Sequence, residues 1–135
     1  MGPRSSLNFS EIDRDSIFFG DETSIAAAVA LHSSGGPRQN RYIFEVSSLV
    51  ESGEVIRRIG LPHAKLVQKT PDLIHLTEVE QSLVEAASDL AMPRWIFTGK
   101  GQSIQSLMKA LRARHMTFSQ LKTKAYWAEG KTGLD

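Results

Sequence analysis

The chain of 135 residues contains no cysteine, and this absence removes several classes of site. Disulfides, iron–sulfur clusters, zinc sites built on thiolates and cysteine nucleophiles are all excluded. Apolar runs are short as well, since none approaches the roughly 18 residues that a membrane-spanning helix needs. The first residues lack the apolar core of a signal peptide. We therefore expect a cytoplasmic protein without a membrane segment.

Acidic residues are scarce in the last third of the chain. Residues 1–90 carry 8 Lys/Arg and 13 Asp/Glu, whereas residues 91–135 carry 8 Lys/Arg and 2 Asp/Glu. The positive C-terminal third predicts an anionic ligand or an acidic partner surface. A solvated face with counter-charges nearby explains the same pattern. We do not expect nucleic acid as the partner, because no aromatic-rich binding signature accompanies the basic residues.

Familiar catalytic and metal-binding motifs are also missing. The sequence has no dinucleotide-binding G-x-G-x-x-G, no P-loop and no G-x-S-x-G elbow. Its four histidines are scattered, and none has the spacing that is typical of metal ligands. We accordingly predict no metal site and no catalytic residue in this chain.

What the sequence does contain is a regular alternation of strands and helices. Apolar, β-branched or alternating runs predict strands at 15–19, 41–46, 65–68, 94–98 and 121–127. Helical stripes lie between them, and capping boxes at Ser48/Glu51 and Thr77/Glu80 predict two helix starts, the second helix running to about residue 91. The alternation predicts one α/β domain over residues 1–135. Its sheet is expected to be doubly wound, five-stranded and mostly parallel, in the order 3-2-1-4-5, with helices on both faces.

A sheet of this type binds ligands outside the carboxyl ends of its strands, where the strand order reverses. Here the turn after the first strand and the turn that contains Thr98 and Gly99 meet at that point. Each turn opens a helix, whose N-terminus suits a phosphate or carboxylate. Strand-to-helix turns need glycine for structural reasons alone, so the glycines are also explained without a ligand. The first of the two turns consists of Gly20, Asp21, Glu22, Thr23 and Ser24.

Several segments, taken in order, carry a family resemblance. They are the junction at residues 2–4, the strand and Gly-Asp-Glu-Thr turn at 17–26, the strand at 95–99, and the closing Tyr-Trp motif at 124–127 with Gly130 and Lys131. Together they resemble the C-terminal NAD(P)H-binding domain of the siderophore-interacting, FAD-dependent ferric-siderophore reductases, which are similar to ferredoxin–NADP reductases. The resemblance covers roughly residues 2–132.

The resemblance implies a function and a set of site residues. The domain would bind NADH or NADPH and pass hydride to FAD, from which electrons reduce Fe(III) in the siderophore and release the iron. The turn at residues 20–23 would line the nicotinamide and pyrophosphate crevice, and Thr98 and Gly99 would form its opposite wall. Tyr126 and Trp127 would face the flavin, although core packing is the alternative for Trp127.

Nucleotide preference is predicted from Glu45, which ends the second strand. An acidic residue at this place in doubly wound folds accepts hydrogen bonds from the adenosine ribose and repels a 2′-phosphate. We therefore expect NADH to be preferred. Arg41, Arg57 and Arg58 lie close enough in the sequence to compensate, which leaves NADPH open.

The sequence departs from the family in three respects. Lys100 stands where the family usually has an acidic residue, and Ala128 and Glu129 replace its basic pair. We expect the FAD-binding β-barrel that precedes this domain in the family to be absent from residues 1–135. FAD would therefore act only through that domain, in the same chain or as a separate partner, and the ferric siderophore would bind the full protein.

Two hypotheses follow from the absent barrel. The chain is either the nucleotide-binding half of a reductase, inactive alone, or a non-catalytic interaction module or truncated copy that partners a separate flavoprotein. In either case the uncovered surface near Tyr126 and Trp127 is expected to favour self-association.

Overall fold

Strands and helices alternate strictly along the chain. The computed structural model describes residues 14–35, 39–118 and 121–127, except for the side chains of residues 122 and 124–127. The described strands are β1 (Ser16–Asp21), β2 (Asn40–Val46), β3 (Ala64–Gln68), β4 (Arg94–Lys100) and β5 (Leu121–Trp127). The α-helices are α1 (Ile25–Ser33), α2 (Leu49–Ile59), α3 (Leu76–Ala87) and α4 (Gly101–Ala113), and a 3-10 turn (Glu22–Ser24) precedes α1.

The sheet is parallel and β1 lies at its centre. β1 pairs with β2 on one side and with β4 on the other, and β3 lies beside β2. These pairings confirm the α/β class, the parallel arrangement and the predicted order 3-2-1-4. The predicted fifth strand is described chiefly by its backbone: β5 runs parallel to β4, with a register shift between Gly99 and Lys100.

Helices cover both faces of the sheet, because alternate residues of the strands pack in opposite directions. Ile17 and Phe19 belong to a core cluster with residues of α3 and α4. Phe18, between them, belongs to a second cluster with residues of α1. Strands buried on both faces are continuously apolar rather than alternating, and this is the pattern from which β1 and β4 were predicted.

Helix α2 is packed more loosely than the other helices. Ser52 is the only buried residue among its eleven, and Val50 is 84% exposed. Leu49, Val55 and Ile59 are also exposed. None of the helices in the described ranges is long and apolar enough to cross a membrane, and α4, with 13 residues, is the longest.

Several predicted boundaries differ from the structure. β1 and β4 each continue two residues beyond the predicted ends, to Asp21 and Lys100. At α2 the cap is confirmed, since the Ser48 hydroxyl accepts a hydrogen bond from the Glu51 N–H at 3.1 Å. The predicted capping box of α3 is wrong, because the helix begins at Leu76 and places Thr77 inside its first turn. The same helix ends at Ala87, before residue 91.

Gly53 inside α2 and Gly60 directly after it provide a matched test of this fold. Gly53 lies inside the helix, and a Cβ there would meet Leu66 at 3.8 Å, an ordinary contact. We expect Gly53→Ala to raise the free energy of unfolding by about 0.5–1 kcal/mol, because alanine favours the helix. Gly60 ends the helix at φ +70° in open space. Gly60→Ala should lower the free energy of unfolding by about 1 kcal/mol through backbone strain alone.

Urea denaturation of both variants measures these changes. Equal effects of the two substitutions would contradict the assignment of helix interior to Gly53 and helix end to Gly60.

Candidate functional site

The turns that follow β1 and β4 meet at the carboxyl edge of the sheet, as predicted. Gly20 lies so close to β4 and the 3-10 turn that a Cβ would come within 2.5 Å of Thr98 Oγ1 and of Ser24 Cβ. The Thr98 hydroxyl, itself buried, donates to the Phe19 carbonyl oxygen at 2.8 Å. Thr98 is therefore engaged in joining β4 to β1.

Asp21 is fully buried and caps the 3-10 turn. Its Oδ1 accepts the Thr23 N–H at 2.9 Å and the Thr23 hydroxyl proton, while its own N–H points to the Ser24 hydroxyl at 3.4 Å. Gly99 adopts φ +101°, and a Cβ there would be 3.2 Å from the Asp21 carboxyl carbon. The predicted residues Asp21, Thr23, Ser24 and Gly99 are thus brought together, and their first role is to hold the turn.

The N-terminus of α4 is arranged differently. Lys100 occupies the N-cap position directly after Gly99, and its side chain makes no capping hydrogen bond. The start of α4 thus differs from the 3-10 turn, where the Asp21 side chain accepts the Thr23 N–H.

Glu22 connects three strands at this edge. Its Oε1 accepts the Ser47 N–H at 2.8 Å, and its Oε2 accepts a proton of the Lys69 ammonium at 2.8 Å. Lys69 Nζ also lies 4.0 Å from Asp21 Oδ2. Partial burial raises the pKa of Glu22, but the hydrogen bonds from Lys69 and Ser47 outweigh it and leave this pKa below its ordinary value. Neither Ser47 nor Lys69 was predicted as a site residue.

A crevice of about 490 Å³ opens beside Glu22, between the first turns of α1 and α2. It lies at the carboxyl ends of β1 and β2. The residues that line it are Glu22, Ile25, Ser47, Ser48, Glu51, Ser52 and Val55. Two carboxylates, three hydroxyls and two apolar side chains give this surface both hydrogen-bonding groups and an apolar contact area.

Glu45 does not line this crevice. It is 1% exposed, and its Oε1 lies 2.6 Å from Nε2 of His75, the N-cap residue of α3. The Nδ1 atom of His75 accepts the Thr70 N–H at 3.0 Å, so a neutral ring carries its proton on Nε2 and donates it to Glu45. The structure therefore places Glu45 in a buried pair against α3, where a ribose does not reach its carboxylate, rather than at an open strand end.

Tyr126 and Trp127 lie at the end of β5. Trp127 is in register with Lys100, so this end of β5 is beside the turn before α4. Their side chains lie outside the described residues, and the predicted contact with flavin stays a prediction.

The Glu45–His75 pair makes a test of stability. His75→Leu should lower the free energy of unfolding by about 1–3 kcal/mol, because it leaves the buried Glu45 carboxylate without its hydrogen-bond donor. The double variant Glu45→Leu/His75→Leu should be more stable than His75→Leu alone, since it removes the buried charge as well. Urea denaturation at neutral pH measures both, and a double variant less stable than the single one would contradict the pairing.

Lys69→Met tests the ion pair at the crevice. Removing the ammonium should raise the pKa of Glu22, measurable by NMR titration of its carboxyl group. A carboxyl whose pKa is lower in the folded chain than its ordinary 4.5 stabilises the fold above that pH. This contribution is lost as the pH falls through the folded pKa. The stability difference between wild type and variant should therefore be largest at neutral pH and shrink in acid, whereas a pH-independent difference would contradict the assignment.

Comparison with known proteins gives a likeness of fold. No model of a protein family matches the chain, and neither does any curated protein sequence. Among solved structures, the chain is similar to the crystal structure of a siderophore utilization protein from T. fusca, with a TM-score of 0.57 and 19% sequence identity. The match covers 99% of this chain and 52% of that protein, so the chain spans about half of its length. At this level of identity the comparison shows a shared fold.

Proposed function

We propose that this chain is the nicotinamide-nucleotide-binding unit of a flavin-dependent ferric-siderophore reductase. The observation that carries the proposal is the likeness of fold, over 99% of the chain, to about half of a siderophore utilization protein. The Gly-Asp-Glu-Thr turn that starts at Gly20 supports the same assignment, because it lies at the carboxyl edge where doubly wound sheets bind ligands.

The residues at this edge fit a nucleotide in size and chemistry. The crevice beside Glu22 has about 490 Å³, within the range of small-molecule sites. Ile25 and Val55 offer apolar contact for a base, and the hydroxyls of Ser47 and Ser48 offer partners for a ribose. The start of α4 offers the N–H groups of a helix N-terminus, which suit a phosphate.

The role of this chain in the proposed reaction is to bind and orient. A bound nicotinamide nucleotide would supply hydride, and the FAD of a second domain would convert it into single electrons for Fe(III). That FAD-binding domain, in the same chain or as a separate protein, is therefore part of the proposal. The ferric siderophore is the substrate of the whole assembly.

A reconstitution experiment tests the function. The chain alone, mixed with NADH, a ferric catecholate and an Fe(II) indicator, should produce no Fe(II) above a sample without protein. The same chain fused behind the FAD-binding barrel of a ferric-siderophore reductase should reduce the bound flavin and then the iron. The reason is that flavin is needed to split the electron pair of the hydride.

The matched control is the barrel produced without this chain. Flavin reduction by NADH should be at least about tenfold faster in the fusion than in the barrel alone, because a bound nucleotide is held against the flavin. Equal rates would contradict the proposed function. Fe(II) formation by the chain without flavin would contradict the proposed mechanism.

A further inference from the structure

The crevice between α1 and α2 offers a basis for preferring NADH to NADPH that does not depend on Glu45. This inference rests on the proposed function. In doubly wound folds the adenosine ribose lies at the carboxyl end of the strand that follows the first helix, which here is β2. The crevice occupies that position, because Ser47 directly follows β2 and Ser48 caps α2. The adenosine end of a bound nucleotide would therefore lie among these residues.

The charged residues that line the crevice are both acidic. Glu22 is already bound to Ser47 and Lys69, as described above. Glu51, in the first turn of α2, is exposed and lies on the opposite wall. No lysine or arginine lines this crevice within the described part of the chain.

The cations of α2 and the lysine that follows β3 already have carboxylate partners. Lys69 is held by Glu22, and Arg57 and Arg58 both pair with Glu54 on α2. Arg57 follows Glu51 by six residues, about 9 Å along the helix axis. Each of these cations already has a carboxylate partner, which reduces its attraction for a phosphate in the crevice.

The start of α2 offers little compensation for a second phosphate. The Ser48 hydroxyl accepts the Glu51 N–H, and the Ser48 carbonyl oxygen accepts the Ser52 N–H at 3.0 Å. The negative charge of Glu51 in the first turn also offsets the positive potential at the N-terminus of α2, which leaves less attraction for a phosphate. A 2′-phosphate would carry up to about two negative charges into this environment.

We propose that the crevice selects a nicotinamide nucleotide whose adenosine ribose is unphosphorylated, and that Glu51 is the residue that rejects the 2′-phosphate. A carboxylate in this position accepts hydrogen bonds from the ribose hydroxyls of NADH and repels the phosphate of NADPH. Glu51 is a specificity-determining residue in this assignment, and hydride transfer does not involve it.

Binding of both nucleotides to the whole chain tests the proposal. Dissociation constants for NADH and NADPH are measured by NMR titration at low salt, which also reports whether the amide signals of Ser47, Ser48 and Glu51 move. The wild type should bind NADH about tenfold more tightly than NADPH, the size expected for one unfavourable charge contact. Glu51→Gln should reduce this ratio, and Glu51→Arg should invert it.

Glu78→Gln and Glu78→Arg are the matched controls. Glu78 occupies the first turn of α3, so its replacement makes the same charge change at a helix start outside the crevice. Both controls should leave the NADH/NADPH ratio within about twofold of the wild type, since the Coulomb interaction falls with distance and Glu78 lies outside the crevice. Thermal unfolding confirms that each variant is folded.

The possible results distinguish a failure of the proposed nucleotide preference from a failure of the proposed function. A wild type that binds neither nucleotide overturns the proposed function, and this inference with it. A wild type that binds both but prefers NADPH overturns the inference alone. So does a ratio that Glu51→Arg leaves unchanged, or one that Glu78→Arg changes as much as Glu51→Arg does.

Discussion

The close approach of the backbone at Gly20 is the constraint on which the carboxyl edge of the sheet depends. Atoms of Ser24 and Thr98 occupy the space of a side chain at this position. The hydroxyl of Thr98 can then bond to the carbonyl oxygen of Phe19 and hold β4 against β1. Two turns meet in this way without an intervening side chain, and the crevice beside Glu22 lies to one side, between the starts of α1 and α2.

Burial of Asp21 follows from the same contact. The positive φ of Gly99 lets that residue lie against the Asp21 carboxyl group, and the 3-10 turn supplies its hydrogen bonds. Lys69 contributes a positive charge from beyond β3. Asp21 is therefore a structural element of the turn, whereas the next residue, Glu22, borders the crevice.

The central strands were predictable because their burial leaves a mark in the sequence. β1 and β4 are apolar on both faces, and right-handed crossovers then restrict the order of the strands. The start of α3 was not predictable from local pattern. Thr77 and Glu80 have the spacing of a capping box, but the helix begins earlier, where the ring of His75 is fixed by Thr70 and Glu45.

The sequence predicted those parts of the site that follow from strand order, but not those formed by residues distant in the sequence. The two turns come together as expected from strand order, but Glu45 shares a sheet face with Ile43 and points to α3. The direction of the Glu45 side chain can be predicted only when it is known which helix covers which face of the sheet. The partners of Glu22 are 25 and 47 residues away in the sequence, and no local motif indicates them.

The loose packing of α2 affects how readily this helix opens locally. A helix that buries a single serine and leaves four apolar side chains exposed gains little from tertiary contact. Local opening of such an element requires much less free energy than global unfolding, so its amide hydrogens exchange sooner than those of β1 or β4. One wall of the crevice therefore belongs to a loosely packed helix, while the opposite wall directly follows the central strand β1. A ligand held between them would slow amide exchange in α2 more than anywhere else in the domain.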